Sequence, residues 1–157
     1  MFKMSLYYPD IHMLFYSLRD DTVYKYYEDA DIISVRFVKI SGVISHSEEV
    51  VDEVLVSYDH DNKIVSVEIH RALKNLSCHL FDTQIEIDNK PPLHLYPIHH
   101  KVRDELRVYF HSFISSTITT FEKSEEEGIE IIMNDAKKII ALLFHNSSNK
   151  IRVEKFC

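Results

Sequence analysis

Asp31, Asp59, Asp61 and Glu68 are the acids whose spacing could gather carboxylates from two turns and a strand. Oxygen-rich sets of that kind bind hard divalent cations, and paired carboxylates also serve as general acid and base. A simpler reading gives Asp59 and Asp61 to a tight turn, because Asp side chains hydrogen-bond nearby backbone groups. It leaves Glu68 on the solvent side of a half-buried strand. The chain has 10 histidines, of which His94, His99 and His100 cluster around Tyr96, with Cys78-His79 upstream. These would be an alternative metal set, but zinc wants closely spaced Cys and His ligands, and no Cys-x-x-Cys or His-Glu-x-x-His spacing occurs. Histidines of a surface loop are the plainer reading. Cys78 has only His79 beside it as an activating partner, and chain neighbours often point apart. Ser115-Ser116-Thr117 reads as the polar side of a strand. With 2 Gly in 157 residues, no backbone cradle for phosphate can form, and there is no Gly-x-Ser-x-Gly elbow. No catalytic residue and no cofactor are therefore expected.

The elements that would position these residues are strands. Val54, Val56 and Tyr58 alternate on one face, Asp59-His60-Asp61-Asn62 forms a turn, and Val65, Val67 and Ile69 alternate again, so 51–73 reads as a hairpin. Arg71 to Leu76 could open a short helix. Residues 129–146 repeat the pattern. A shift of 75 pairs Val56 with Ile131, Asp59 with Asn134, Lys63 with Lys138, Ile64 with Ile139 and His70 with His145. Ser47-Glu48-Glu49 likewise pairs with Ser124-Glu125-Glu126 if a small gap is allowed. Strands Val23 to Tyr27 and Ile32 to Val38 precede the first hairpin. Leu106 to Phe110 and Phe113 to Phe121 precede the second, although 102–113 also fits helical spacing. Between them, Asp88-Asn89-Lys90-Pro91-Pro92 is a strong break, with Thr83 to Ile87 and Leu93 to Tyr96 as strands on either side.

The expected fold is α+β and mostly antiparallel β, with two diverged strand-hairpin repeats and one or two short helices. The divisions are an N-terminal strand segment (1–20), unit one (21–76), a connecting segment (77–103) and a degenerate unit two (104–157), all within one compact domain. The usage agrees: 9 Tyr, 9 Phe and many Ile and Val suit pleated, half-buried surfaces. A net charge of −7 with no Lys/Arg cluster disfavours nucleic-acid binding. No apolar run approaches a membrane span. Two cysteines and a start without an apolar leader region point to a reducing, cytoplasmic setting.

Tyr26-Tyr27-Glu28-Asp29-Ala30-Asp31, followed by the apolar strand Ile32 to Phe37 with its Arg36, resembles the opening motif of the domain of unknown function 2283 family. Ser47 to Val50, Val54 to Tyr58, Asp59 to Lys63 and Ile64 to Ile69 resemble that family's middle segment and closing hairpin. The resemblance covers residues 24–73. It departs where the family usually has Gly, at Asn62 and at Ser66 or Val67. In the second copy, at 104–148, Leu143 stands where Glu68 would be and Ile114 where Asp31 would be. Tyr7 to Leu18 also resembles the opening motif. The resemblance implies a small strand-rich fold and no established activity. Some bacterial members look like the partner half of toxin–antitoxin-type gene pairs, which implies protein binding.

The second hairpin is apolar on both faces, with Ile131, Met133, Leu142 and Phe144 on one and Ile132, Ile139 and Leu143 on the other. Such a strand must be covered on both sides. The cover is either internal or a partner, which makes Ile132, Ile139 and Leu143 the candidate interaction surface. The first expectation is a non-enzymatic module that binds a protein partner or a second copy of itself. The alternative is a small metal-dependent enzyme or ligand binder that uses the acids of unit one.

Overall fold

The alternating apolar residues build two antiparallel sheets of the same design. The computed structural model describes residues 16–18, 22–38, 44–111, 120–123 and 126–152. In chain order the strands are β1 (Tyr16–Leu18), β2 (Val23–Tyr27), β3 (Ile32–Arg36), β4 (His46–Val51), β5 (Val54–Tyr58) and β6 (Ile64–His70). A single helical turn, α1 (Ala72–Asn75), follows. Then come β7 (Tyr96–His100), β8 (Glu105–Tyr109), β9 (Thr120–Lys123), β10 (Ile129–Met133), β11 (Ile139–His145) and a second helical turn, α2 (Ser147–Lys150). One sheet runs β2-β3-β6-β5-β4 and the other β1-β7-β8-β11-β10-β9. Without β1 the two orders are identical, so each hairpin expected from the sequence sits in its own sheet.

The correspondence extends to single residues. Ser57 pairs with Ser66 but Tyr58 with Ile64, leaving Val65 as a bulge. Ile132 pairs with Ala141 but Met133 with Ile139, leaving Ile140 as the matching bulge. A bulge flips the side-chain alternation. That is why Ile139 joins Ile131, Leu142 and Phe144 in the core between the sheets, not the opposite face assigned to it by simple alternation. Asn62 and Lys137 both take positive φ, 60° and 62°, in the equivalent hairpin turns. Glu105–Tyr109 is a strand, which settles the reading of 105–109 that helical spacing left open.

Two expectations change. The second set of strands opens at Tyr96, inside the segment read as a connector, so the strand expected at Leu106 to Phe110 is the second of its set, not the first, and the first two strands of the sets are related by a shift of 73. Residues 83–87 form no strand; Ile87 and Lys90 make one isolated bridge around the turn. Of the expected strand over Phe113 to Phe121 only Thr120 and Phe121 are described, at the start of β9; the Ser-Ser-Thr run within it and most of the fragment Tyr7 to Leu18 lie outside the described residues.

Ile33, Val35, Phe37, Val56, Val67 and Ile69 of one sheet share a buried cluster with Leu106, Val108, Phe110, Ile131, Leu142 and Phe144 of the other. The rings of Phe37 and Phe144 meet edge-on at 5.5 Å across it. The contacts are reciprocal. Leu76 bridges Ile139 and Ile151 bridges Ile64, both in parallel. The Ser77 N–H donates to the Ile139 carbonyl at 3.0 Å and the Arg152 N–H to the Ile64 carbonyl at 2.9 Å. The Lys138 ammonium donates to the Lys74 carbonyl at 2.6 Å, and the Lys63 ammonium to that of Asn149. Mutual contacts of this kind are what a two-fold axis produces. The chain is a pseudo-symmetric pair of units tied by one polypeptide. Among the described residues no helix is long and apolar enough to cross a membrane.

Candidate functional site

Asp31 ends a turn in left-handed conformation, with φ 54°, which a short polar side chain tolerates. Its carbonyl accepts the Ala72 N–H at 3.0 Å, and its carboxylate accepts the Leu73 N–H at 3.1 Å. These are the donors that a helical start leaves unpaired, so Asp31 caps α1 from 41 positions away in sequence. The Tyr26 hydroxyl donates to the same carboxylate at 2.7 Å. Burial, followed by that bond and the negative charge, pushes the Tyr26 hydroxyl up to about 12. The second unit repeats the device with Asp104, at φ 52°. Its carbonyl accepts the Ser147 N–H at 3.0 Å, its carboxylate accepts the Ser148 N–H at 3.1 Å, and His99 stands in for Tyr26 at 3.0 Å. The true counterpart of Asp31 is therefore Asp104, not Ile114.

Asp59 organises the hairpin turn. Its carboxylate accepts the N–H groups of Asp61 at 2.9 Å and Lys63 at 3.0 Å. Asn134 does the same for Ala136 and Lys138, at 3.0 Å each. Arg152 arrives from the end of unit two and grips Asp59 at 2.6 Å and Asp61 at 2.5 Å. Burial by itself would raise the Asp59 carboxyl; the bonds from Arg152, Lys63 and Asp61 outweigh it and hold it below the usual range. Glu68 lies on the outer face of its sheet, 3.5 Å from His70. The four acids do not converge. Asp31 sits at the far end of β6 from Asp59, and seven strand residues separate the ends by roughly 20 Å. Among the described residues no group of three or more His, Cys, Asp or Glu side chains is placed to hold a metal ion.

The feature that distinguishes the two sheets is an edge. In the second, β1 closes the outer side of β7, with Tyr16 opposite His100, Ser17 opposite His99 and Leu18 opposite Ile98. The equivalent strand of the first sheet, β2, has β3 on one side and no described strand on the other. Val23 and Tyr24, whose side chains leave opposite faces of β2, are each 43% exposed. Lys25 beside them is exposed, and its ammonium lies 5.1 Å over the Tyr27 ring. Arg36 donates to the Tyr27 hydroxyl at 2.9 Å.

The stretch that holds Asp31, Asp59, Glu68 and this edge has known kin. Residues 24–72 match the family described as protein of unknown function (DUF2283). No curated protein and no solved structure matches the chain. The match ends within the first unit; the second unit repeats the topology of the DUF2283 unit outside it.

Compared with the DUF2283 unit, the second unit has moved its acids. Leu143 does replace Glu68, yet Glu130 and Glu105 stand on the neighbouring strands around His145, where the DUF2283 unit has Leu55 and Ile32 around His70. Glu130 lies 2.5 Å from His145 Nε2, and Glu105 lies 3.5 Å from Nδ1. Arg107 donates to Glu105 at 3.1 Å and to the Tyr109 hydroxyl at 3.3 Å. The expectation that unit two exchanged its acids for apolar side chains fails on this cluster. The linear sequence hid it because its members come from three strands. The cluster is a partly exposed polar network, with Glu105 7% exposed and the His145 side chain 42% exposed.

The remaining candidates are separated. His99 and His100 are consecutive strand residues, so their rings leave opposite faces. His99 is engaged by Asp104, the Nδ1 of His100 accepts the Arg103 N–H at 3.2 Å, and the His94 ring lies 4.7 Å from that of Tyr96. Ile132, Ile139 and Leu143 are 0%, 3% and 3% exposed. Ile132 and Leu143 belong to a second buried cluster with Ile98, Tyr109, Ile140 and Ala141, and none of the three offers a free side chain to a partner. Cys78 is buried, and burial pushes its thiol up to about 12, with Lys90 pulling the other way, the surroundings of a structural cysteine.

Proposed function

We propose that this chain is a non-enzymatic protein-interaction module that takes up an extended partner segment by strand addition along β2. The observation that carries the reading is the contrast between equivalent edges: β1 occupies β7, and no described strand occupies β2. An open edge offers main-chain donors and acceptors for affinity and alternate side chains for specificity. The chain already uses this mode on itself. Support also comes from what the reactive side chains do instead, since Asp31 caps a helical turn, Asp59 forms a hairpin turn and Cys78 is buried.

A photo-reactive residue at Tyr24, introduced into the full chain and irradiated in cells, tests the reading. The expected result is a cross-linked second polypeptide whose attachment maps to an extended segment. The control is the same residue at Val102, which is 69% exposed and lies outside β2. Equal capture at both positions, or none at Tyr24, overturns the reading.

A further inference from the structure

We infer that the edge of β2, which no described strand occupies, selects an acidic extended segment, with an aspartate or glutamate opposite Lys25. The inference rests on the strand-addition reading and supplies the partner's chemistry. The internal pairing of β1 gives the template. Ile98, His99 and His100 face Leu18, Ser17 and Tyr16, and the shift of 73 puts Lys25, Tyr26 and Tyr27 in their places. The apolar Leu18–Ile98 pair thus becomes a site opposite an ammonium group. Directly opposed side chains of unlike charge stabilise antiparallel pairing and like charges oppose it.

The surroundings strengthen the preference. Lys25 and Arg36 both reach Tyr27 on the outer face, one over its ring and the other at its hydroxyl. Two cations therefore flank the edge in a chain of net charge −7. Glu68 lies in the same row as Lys25 but two strands inward, beyond Ser34, about 10 Å away, and it faces His70. Glu49, at the far end of that row on β4, accepts the Glu53 N–H at 2.8 Å. Glu28 and Asp29 are exposed in the turn beyond Tyr27. A lysine in an edge strand also discourages indiscriminate edge-to-edge pairing, and a second copy paired about Lys25 would set two ammonium groups face to face.

The test uses the full chain, isotopically labelled, and two synthetic peptides. One has the chain's own sequence over residues 12–20, and the other is the same peptide with Leu18→Glu. The Leu18→Glu peptide is expected to shift the amide resonances of Val23 to Tyr27 and to bind about 1.5- to 5-fold more tightly than its parent at low salt. The advantage should vanish near about 1 M salt and reverse in Lys25→Glu, an exposed substitution that leaves the core untouched. If the parent shifts these amides and the glutamate adds nothing, the acidic partner is wrong and strand addition stands. If neither peptide moves the amides of 23–27, both fall. Concentration-dependent shifts of the same amides without peptide would assign the edge to a second copy and overturn the inference.

Discussion

Asp31 and Asp104 turn a question about catalysis into one about capping. Each accepts backbone N–H groups from a helical turn far away in sequence, and loss of an Asp cap costs about 0.5–2 kcal/mol. Asp31→Ala and Asp104→Ala should each lower the urea midpoint by a matching amount with an unchanged slope. Asp104→Ala should cost more, because Asp104 also accepts the Ser148 hydroxyl at 2.6 Å. Asn at either position should recover most of the loss, since Asn caps as well as Asp. Acid stability follows from the same groups. Burial would raise the Asp104 carboxyl, but bonds from Ser148 and His99 hold it below the usual range, and Asp59 behaves alike. A carboxyl lower in the folded chain than in the unfolded one stabilises the fold above the unfolded value, about 3.9. That contribution is lost as pH falls through the folded value. Denaturation followed from pH 6 to pH 2 should therefore show stability dropping below about pH 4, with a shallower drop in Asp59→Asn. An equal slope in that variant would assign the acid lability to other groups.

At the scale of elements, the hairpins were legible because their apolar alternation and their Asp59 and Asn134 turns recur at one shift. The start of unit two was not. Tyr96-Pro97-Ile98-His99-His100 has no alternating apolar pattern, and its proline marks it as a loop; in the sheet Pro97 pairs with Val108 of β8 and lies beyond the three residues that β1 pairs. Unit two also carries two extra residues between its second and fourth strands, which changes the shift from 73 to 75 and hid the match of Asp104 to Asp31. The bulges at Val65 and Ile140 were equally invisible, so Ile139 was placed on the wrong face. One matched position tests how far the units are interchangeable. Glu53 and Gly128 occupy equivalent turns at φ 68° and 89°. A Cβ at Gly128 would meet the flexible end of Lys150, whose ammonium donates to the Glu127 carbonyl, so Gly128→Ala should cost the backbone strain, about 1–2 kcal/mol, plus at most that one hydrogen bond, about 0.5–1.5 kcal/mol, and should keep the β10–β11 pairing. A larger loss in a thermal melt would mean that Lys150 cannot move aside.

For the whole molecule, the decisive contact is the one that neither unit can make alone. Phe37 and Phe144 are both fully buried and come from opposite sheets. The clusters they join hold the inner faces of both units in one core, and the reciprocal bridges Leu76–Ile139 and Ile64–Ile151 tie the end of each unit to the other's central strand. A sheet of five strands with one apolar face exposed has no stable alternative to its partner sheet. The two units should therefore melt together despite having separate hydrogen-bond networks. Phe144→Ala removes an aromatic side chain from the seam and should cost about 3–5 kcal/mol. The loss should appear equally in probes of either unit. Amide exchange read at Val35 and at Leu142 should accelerate by the same factor, because opening one sheet strips the other of its cover. Faster exchange confined to unit two, with Val35 unchanged, would show that the DUF2283 unit keeps its fold without its pseudo-symmetric partner, and the fused pair would then be two cores instead of one.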